Sequence, residues 1–317
     1  MVLSNVLVRS VWMGLDYLIK IASTSIPDLV VGGMTNNENV EKVRNLMEDT
    51  NVPLYPECKK MSMRFRKISN ANIANLTLLD SKGFHMSIQR SSNVTIRNLN
   101  ILALENSYNT DGIHISDSNN TDLATRTIGT GDDCISIGQG NTNVSISNVA
   151  CGPGHGKYKY EKNIAGVNVR NYTVSGTSNR IRIKTYPGAP PSEALDITFK
   201  DNVTENVSNA IIIDQEYCLG HHCSNEPSGV NIRNVTYRRI RGTSNKAVIV
   251  NFMCSQLVPC ENLILHDINL EFVSSSDSSG ITSSPIQNYS SLVPNITSSC
   301  LNVKGMAFKT QKPATCL

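Results

Sequence analysis

The 317-residue sequence predicts an all-β fold, a right-handed, single-stranded parallel β-helix, on three observations. Apolar-x-apolar-x-Asn segments recur along it, no amphipathic helix separates them, and the two-residue glycine turns that antiparallel hairpins need are scarce. The segments read Val94-Ile96-Asn98, Val144-Ile146-Asn148, Val167-Val169-Asn171 and Val230-Ile232-Asn234, with Ile197-Phe199-Asp201 and Leu263-Leu265-Asp267 as variants. Strict alternation marks a half-buried strand with its β-branched residues inward. The Asn or Asp that follows is turn chemistry, because these side chains bond their own backbone and tolerate the left-handed region. Copies lie roughly 23 to 33 residues apart, the period of stacked coils around one long core. Leucine-rich repeats are excluded by the lack of their Leu/Asn consensus.

In chain order, residues 1–50 stand outside this pattern and form an N-terminal segment of unknown structure. Within it Val40, Val43, Leu46 and Met47 fall near helical spacing, so a short helix is expected over Glu38–Asp49. The solenoid domain is expected over residues 51–317. Near its end, the serine-rich stretch Ser274 to Ser284 reads as a loop before a cysteine-containing tail.

A hydrophobic fraction of 39%, a charged fraction of 17% and a net charge of +3 describe a foldable, weakly charged chain. No Lys/Arg run marks a nucleic-acid patch, and no apolar run of about 18 residues marks a membrane-spanning helix. Neither nucleic acid nor membrane is therefore expected as a partner, and the chain is expected to act as a monomer. Nine cysteines indicate an oxidising compartment. Pairing of sequence neighbours gives Cys134 with Cys151, Cys218 with Cys223, Cys254 with Cys260 and Cys300 with Cys316, leaving Cys58 over; this is one connectivity among those the sequence permits. Asn-x-Ser/Thr sequons, ten in all and including Asn75, Asn93, Asn143, Asn171 and Asn234, agree with a secreted glycoprotein. Residues 1–26 lack a clean signal-peptide core, because Arg9, Asp16 and Lys20 interrupt the apolar run.

Four short motifs carry the chemistry: Asn109-Thr110-Asp111-Gly112, Gly131-Asp132-Asp133, Gly154-His155-Gly156 and Arg182-Ile183-Lys184. Glycosidic cleavage needs one carboxylic acid to protonate the leaving oxygen and one carboxylate to activate water or attack. Asp111, Asp132 and Asp133 are the candidates, expected on adjacent coils, where crowded like charges raise one pKa. His155 is placed one coil further along the same face. Arg180, Arg182 and Lys184 alternate with Ile181 and Ile183, so the cations point outward, and they suit the carboxylate of a uronic acid sugar. Tyr217 is expected a coil later, within reach of the sugar. Cys218, His221, His222 and Cys223 could suggest zinc, but no second ligand pair of matching spacing follows. No metal or cofactor is expected.

Taken in this order, the four motifs resemble those of the plant polygalacturonases, family 28 of the glycoside hydrolases. The likeness runs from Pro56 to Cys316 and is near-continuous around Phe84-His85, Asn109 to Ser118 and Thr130 to Gly156. The resemblance implies a right-handed parallel β-helix that hydrolyses α-1,4-galacturonosyl linkages of pectin with inversion, without a metal, in the extracellular cell wall. It also implies Asp132 as general acid, Asp111 and Asp133 as activators of water, and His155 as their assistant. Arg182, Lys184 and Tyr217 would hold the galacturonate. The stretches Ala103 to Asn109 and Leu257 to Asp267 are most similar to pollen-type, exo-acting members.

Three departures from the family pattern shape the expectations. The N-terminal cap and first coils are replaced by residues 1–50, which would leave a solenoid edge bare and Cys58 without its family partner. After Gly156 the sequence runs directly into Lys157-Tyr158, and the interval Val144 to Val167 is shorter than those that follow, which points to a lost strand beside His155. Tyr108 stands where the family has proline. The alternative to an enzyme is a catalytically silent or truncated β-helix that only binds wall pectin.

Overall fold

The computed structural model describes residues 4–9, 16–22, 28–31, 62–81, 83–104, 107, 110–151, 162–176, 179–218, 223–274 and 295–317. The helix expected over Glu38–Asp49, most of the serine-rich stretch, Cys58, Tyr108, Asn109 and His155 lie outside them. Among the described residues no helix is long and apolar enough to cross a membrane.

Three strands, β1 (Ser4–Arg9), β2 (Asp16–Ala22) and β3 (Asp28–Val31), precede the solenoid. The next three coils each contribute three strands. These are β4 (Met63–Arg66), β5 (Ser69–Ala74) and β6 (Thr77–Leu79), then β7 (Met86–Gln89), β8 (Ser92–Arg97) and β9 (Asn100–Leu102), then β10 (Ile113–Ser116), β11 (Asn119–Ala124) and β12 (Thr127–Gly129). Further on, the second and third strands of a coil merge into one. Thus β13 (Ile135–Ile137) leads into β14 (Thr142–Cys151), and β15 (Ile164–Ser175) follows. The remaining coils are β16 (Asn179–Lys184) with β17 (Ser192–Val207), β18 (Asn209–Asp214) with β19 (Val230–Ser244), β20 (Val248–Met253) with β21 (Cys260–Phe272), and β22 (Thr297–Leu301) with β23 (Val303–Lys312). From β4 onward every pairing is parallel, as a right-handed β-helix requires.

Inward residues stack in columns. Ile73, Ile96, Leu123, Ile146 and Val169 stand on successive rungs, all of them buried. The Asn positions turn the chain: Asn98, Asn148, Asn171, Asn234, Asp201 and Asp267 all have φ between 50° and 64°. Asparagine side chains also stack, since Asn93 donates to Asn70 at 3.0 Å, Asn120 to Asn93 at 3.0 Å and Asn143 to Asn120 at 3.1 Å. This column stops at Gly166, where a Cβ would lie 2.9 Å from the Asn143 amide oxygen. A second column links Asn98 to Asn75 and Asn171 to Asn148. Several sequon asparagines (Asn75, Asn93, Asn143, Asn171) are thus ladder members. An Asn in the corner, an apolar residue inward and a Thr or Ser outward write the sequon by geometry alone.

Register corrects one expectation. The copy Val230-Ile232-Asn234 is not the partner of Ile197-Phe199-Asp201; Val235-Tyr237-Arg239 is, and Val230 pairs with Ser192. The lost strand expected beside His155 falls at residues 152–161, outside the described residues.

At the N-terminal end the edge is not bare. Strand β2 pairs antiparallel with β5, and β3 pairs antiparallel with β4. At the far end β23 carries Lys304 and Lys312, which ion-pair with Glu261 and Glu271 at 2.9 and 2.7 Å, the charged edge that discourages strand addition. The four neighbour disulfides form as expected, Cys134–Cys151, Cys218–Cys223, Cys254–Cys260 and Cys300–Cys316. The first of these ties β14 back to the turn that precedes β13.

Candidate active site

Three sheets line the solenoid. The largest, of 14 strands, is continuous through β14, β15 and β17. On the other face the sheet divides into a 5-stranded part ending at β13 and a 4-stranded part beginning at β16. Among the described residues no strand lies between β13 and β16. The coil that would supply it holds residues 152–161, among them His155, which lie outside the described residues. The candidate site spans this division, with carboxylates on one side and cations on the other.

The carboxylates arise from the corners that feed β10 and β13. His85 N–H donates to the Asp111 carbonyl at 2.8 Å, and Gly112 N–H donates to the Asp133 carbonyl at 2.8 Å. Corner thus stacks on corner, and residues 21 or more apart in sequence become neighbours. Gly112 and Gly131 serve close approach and not left-handed turns. A Cβ on Gly112 would lie 2.3 Å from Ile128 Cγ2 and 2.5 Å from the Cys134 carbonyl oxygen, and one on Gly131 would lie 2.1 Å from the Ser107 carbonyl oxygen. Thr110 Oγ1 accepts from Gly131 N–H at 3.0 Å, locking the two carboxylate turns together. Within the second turn, Asp133 N–H donates to Asp132 Oδ1 at 2.8 Å and Thr130 Oγ1 donates to the Asp132 carbonyl at 2.9 Å.

Asp111 is buried, while Asp132 and Asp133 are half-buried and reach the cleft. Burial pushes the Asp111 carboxyl up to about 8, and the charges of Asp133 and Asp132 add to that rise. This environment favours the protonated form of Asp111. Ser136 Oγ donates to Asp111 Oδ2 at 2.8 Å and works against the rise.

The cations stand on β16. Ile181 is buried and Ile183 packs against the core, so Arg182 and Lys184 point outward, as the alternation predicted. Arg180 belongs to the same strand; its side chain lies outside those described. Lys184 Nζ is 3.9 Å from Asp133 Oδ2 and makes no hydrogen bond among the described residues. Burial lowers its pKa to about 8, against the pull of Asp133. Tyr217 lies beneath both cations: Arg182 Cζ is 4.9 Å and Lys184 Nζ 4.7 Å from its ring centroid, within cation–π range. Tyr186 meets the same ring edge-on at 5.5 Å.

Of the residues picked from sequence, Asp111, Asp132, Asp133, Lys184, Arg182 and Tyr217 are thus brought to one cleft. A cavity of about 210 Å³ lies under the division, lined by Ile135, Ile137, Ile181, Ile183, Val167 and Val169 and reaching Asp133 and Lys184. Its aliphatic walls are solenoid core, which suits them poorly to a sugar. Cys218 is bonded to Cys223, so the Cys/His cluster does not offer two thiolates to a metal. Three site residues had no role in the sequence reading. His85 accepts from Ser81 N–H on Nε2 at 3.3 Å and meets the carbonyls of Thr110 and Asp111 through Nδ1 at 3.2 and 3.3 Å, so it fixes the backbone that carries Asp111. Ser136 and His114 are the other two. Their signal was a polar residue between isoleucines directly after each carboxylate turn.

The family model for glycosyl hydrolases family 28 matches residues 12–291. The chain belongs to glycosyl hydrolases family 28. Among its curated family 28 relatives, an exopolygalacturonase of Platanus acerifolia is 41% identical over 227 residues, and a polygalacturonase of Brassica napus is 43% identical over 227 residues. Both alignments take in 68% of this chain, which spans 60% and 57% of those relatives' own length. Among solved structures, a hyperthermoactive exopolygalacturonase of Thermotoga maritima superposes with a TM-score of 0.57 at 18% identity, covering 74% of this chain and 56% of that one. A polygalacturonase of Erwinia carotovora gives 0.50 at 21%, covering 79% and 58%. At such identities these two structures show the fold, a right-handed β-helix.

Proposed function

We propose that this family 28 chain hydrolyses galacturonosyl linkages of pectic polygalacturonate. The observation that carries this reading is Lys184, a buried ammonium without a hydrogen bond among the described residues, beside Arg182, above an aromatic ring and against three carboxylates. Buried charges are ordinarily satisfied, and a sugar carboxylate entering the cleft would satisfy this one. A neutral sugar would leave it as it is. Arg182 and Lys184 then hold the galacturonate, with Tyr217 as the surface under it.

The division of labour in this reading is the one that the family resemblance implies. Asp132, which reaches the cleft, is the acid; Asp111 and Asp133 activate water. In the empty site Asp111 holds a proton. With substrate in place, that proton passes from the Asp111 carboxyl to the Asp132 carboxylate. Asp132 then protonates the leaving glycosidic oxygen, while water adds to the anomeric carbon and gives its proton to Asp111. The cycle ends with Asp111 protonated and Asp132 ionised, as it began. Attack by water opposite the leaving group inverts the anomeric centre. His155 assists the acid in this reading.

The exo-acting mode rests on the names of relatives such as that of Platanus acerifolia. A secreted, monomeric, cell-wall location rests on the disulfides and on the nature of the polymer. Glycans belong on sequons outside the asparagine ladders, such as Asn119 and Asn295, because a ladder asparagine spends its amide on the next rung. The test is release of reducing ends from polygalacturonic acid by the purified chain, with Asp132→Asn as control. Release that vanishes in the variant supports the hydrolase, and its product sizes separate exo from endo action. A folded chain that retains pectin on a column without releasing product is the silent binder instead.

A further inference from the structure

We propose that Ser136 and His114 are positioning residues for Asp111, acting through one hydrogen-bond chain that runs from imidazole to hydroxyl to carboxylate. The inference rests on the reading above that Asp111 serves as a base, and it adds two residues that neither the four motifs nor the family comparisons assign.

The geometry is set by the sheet. His114 and Ser136 are paired rungs of β10 and β13, on the face opposite the isoleucines that fill the core. Ser136 Oγ donates to Asp111 Oδ2 at 2.8 Å, and His114 Nδ1 lies 2.9 Å from the same Oγ. A serine hydroxyl has one hydrogen. When that hydrogen points to an ionised Asp111, the hydroxyl oxygen is left to accept, so His114 must donate through Nδ1–H. The chain therefore selects one tautomer of His114 and aims one lone pair of Asp111.

The imidazole is held for this task. Its ring sits 5.5 Å from that of Phe84, and residue 138 is glycine where a Cβ would come within 3.0 Å of His114 Cε1. Burial, with Arg64 adding to it, lowers the His114 pKa to about 4. Above that pH it is a fixed neutral dipole and not a switch. The charged groups that bear on Asp111 are Asp132 and Asp133, which disfavour its ionisation. Those bearing on His114 include Arg64. Lys184 faces the triad from β16. Among the described residues Ser136 is the side chain that donates to the Asp111 carboxylate, so it determines where the base points once its proton has left.

The experiment compares galacturonate release by the full chain and its variants from about pH 4 to about pH 8, the range between an ordinary and a raised carboxyl. Ser136→Ala removes a donor to an ionised group. The expected result is a kcat lowered roughly 10- to 100-fold with KM little changed, and an acidic limb moved upward by roughly one pH unit. Ser136→Thr keeps the hydroxyl and should restore both. His114→Asn, whose amide can stand where Nδ1–H stood, should stay near the parent, whereas His114→Gln should follow Ser136→Ala. An unchanged acidic limb in Ser136→Ala would overturn the proposal, as would equal losses in Ser136→Ala and Ser136→Thr. If the parent releases no product at all, the hydrolase reading fails, yet the positioning claim is still read directly. The Asp111 side-chain carbon is followed by NMR titration of the intact protein with labelled aspartate. A midpoint that rises in Ser136→Ala supports the chain of bonds, and one that does not move refutes it.

Discussion

The two halves of the cleft are built by different means. On the carboxylate side each turn is closed by short hydrogen bonds: Thr110 to Gly131, Asp133 to Asp132 and Ser136 to Asp111, at 3.0, 2.8 and 2.8 Å. Two glycines there admit no Cβ, and a disulfide ties the turn to the neighbouring strand. On the cation side, Lys184 makes no hydrogen bond among the described residues and has a carboxylate at 3.9 Å and a ring at 4.7 Å. One half is organised before any ligand arrives, and the other keeps its ammonium ready for an anion. The division between β13 and β16 means that the two halves are aligned through the continuous 14-stranded sheet behind them.

The largest effect should come from the half organised in advance. Asp132→Asn should lower galacturonate release by about 10²- to 10⁴-fold, the usual contribution of a positioned acid, with the melting temperature kept. A comparable loss of activity in Arg182→Ala, with unaltered substrate binding, would contradict the assignment of binding to one half and chemistry to the other.

Removing the staple is next. Replacing Cys134 and Cys151 by alanine opens a loop with a sequence separation of 17, worth about 3 kcal/mol in chain-entropy terms, read by denaturant unfolding. The loss should exceed that from removing Cys218–Cys223, whose separation is 5.

The two halves should also differ in sign with pH. Asp111 has a folded pKa above its unfolded value, so the folded state binds the extra proton. Its contribution to stability should fall as pH rises from about 4 to about 8, and Asp111→Asn should flatten that slope. Lys184 has a folded pKa below its unfolded value, so its burial opposes folding at neutral pH and the penalty fades as pH rises through about 8. Lys184→Met should therefore melt higher than the parent at neutral pH while binding polygalacturonate roughly 10- to 100-fold more weakly. Calorimetry across pH and a binding titration check both signs.

The smallest effect lies away from the cleft. Asn93→Ala interrupts an asparagine ladder and removes a favourable left-handed residue at φ 53°; it should lower stability by about 1 kcal/mol and leave activity as it was.

Much of the solenoid was readable in one dimension. A strand buried on one face must alternate, and a corner with positive φ favours Asn, so Val144-Ile146-Asn148 and its copies announce coils wherever they occur. Outward placement of Arg182 and Lys184 followed from the same period of two, and the pairing of sequence-neighbour cysteines, one of the connectivities the sequence permits, is the one that forms. Register was harder. Val230-Ile232-Asn234 has the right pattern one corner early, because each coil turns at more than one left-handed position and a local pattern cannot say which corner it is. The edge covering by β2 and β3 was also hidden, as it is an antiparallel contact between segments with no shared pattern.

At the site, sequence by itself determined which groups are available: three carboxylates, two outward cations and an aromatic ring, because residue type and period are local properties. Only the tertiary structure decided what those groups are worth. Stacking one corner on another buries Asp111 beside Asp132 and Asp133 and moves its proton affinity. Pairing β10 with β13 brings His114 and Ser136 to its carboxylate. Each of these results from a rung-to-rung contact between residues distant along the chain, and desolvation and charge coupling arise only once such contacts exist.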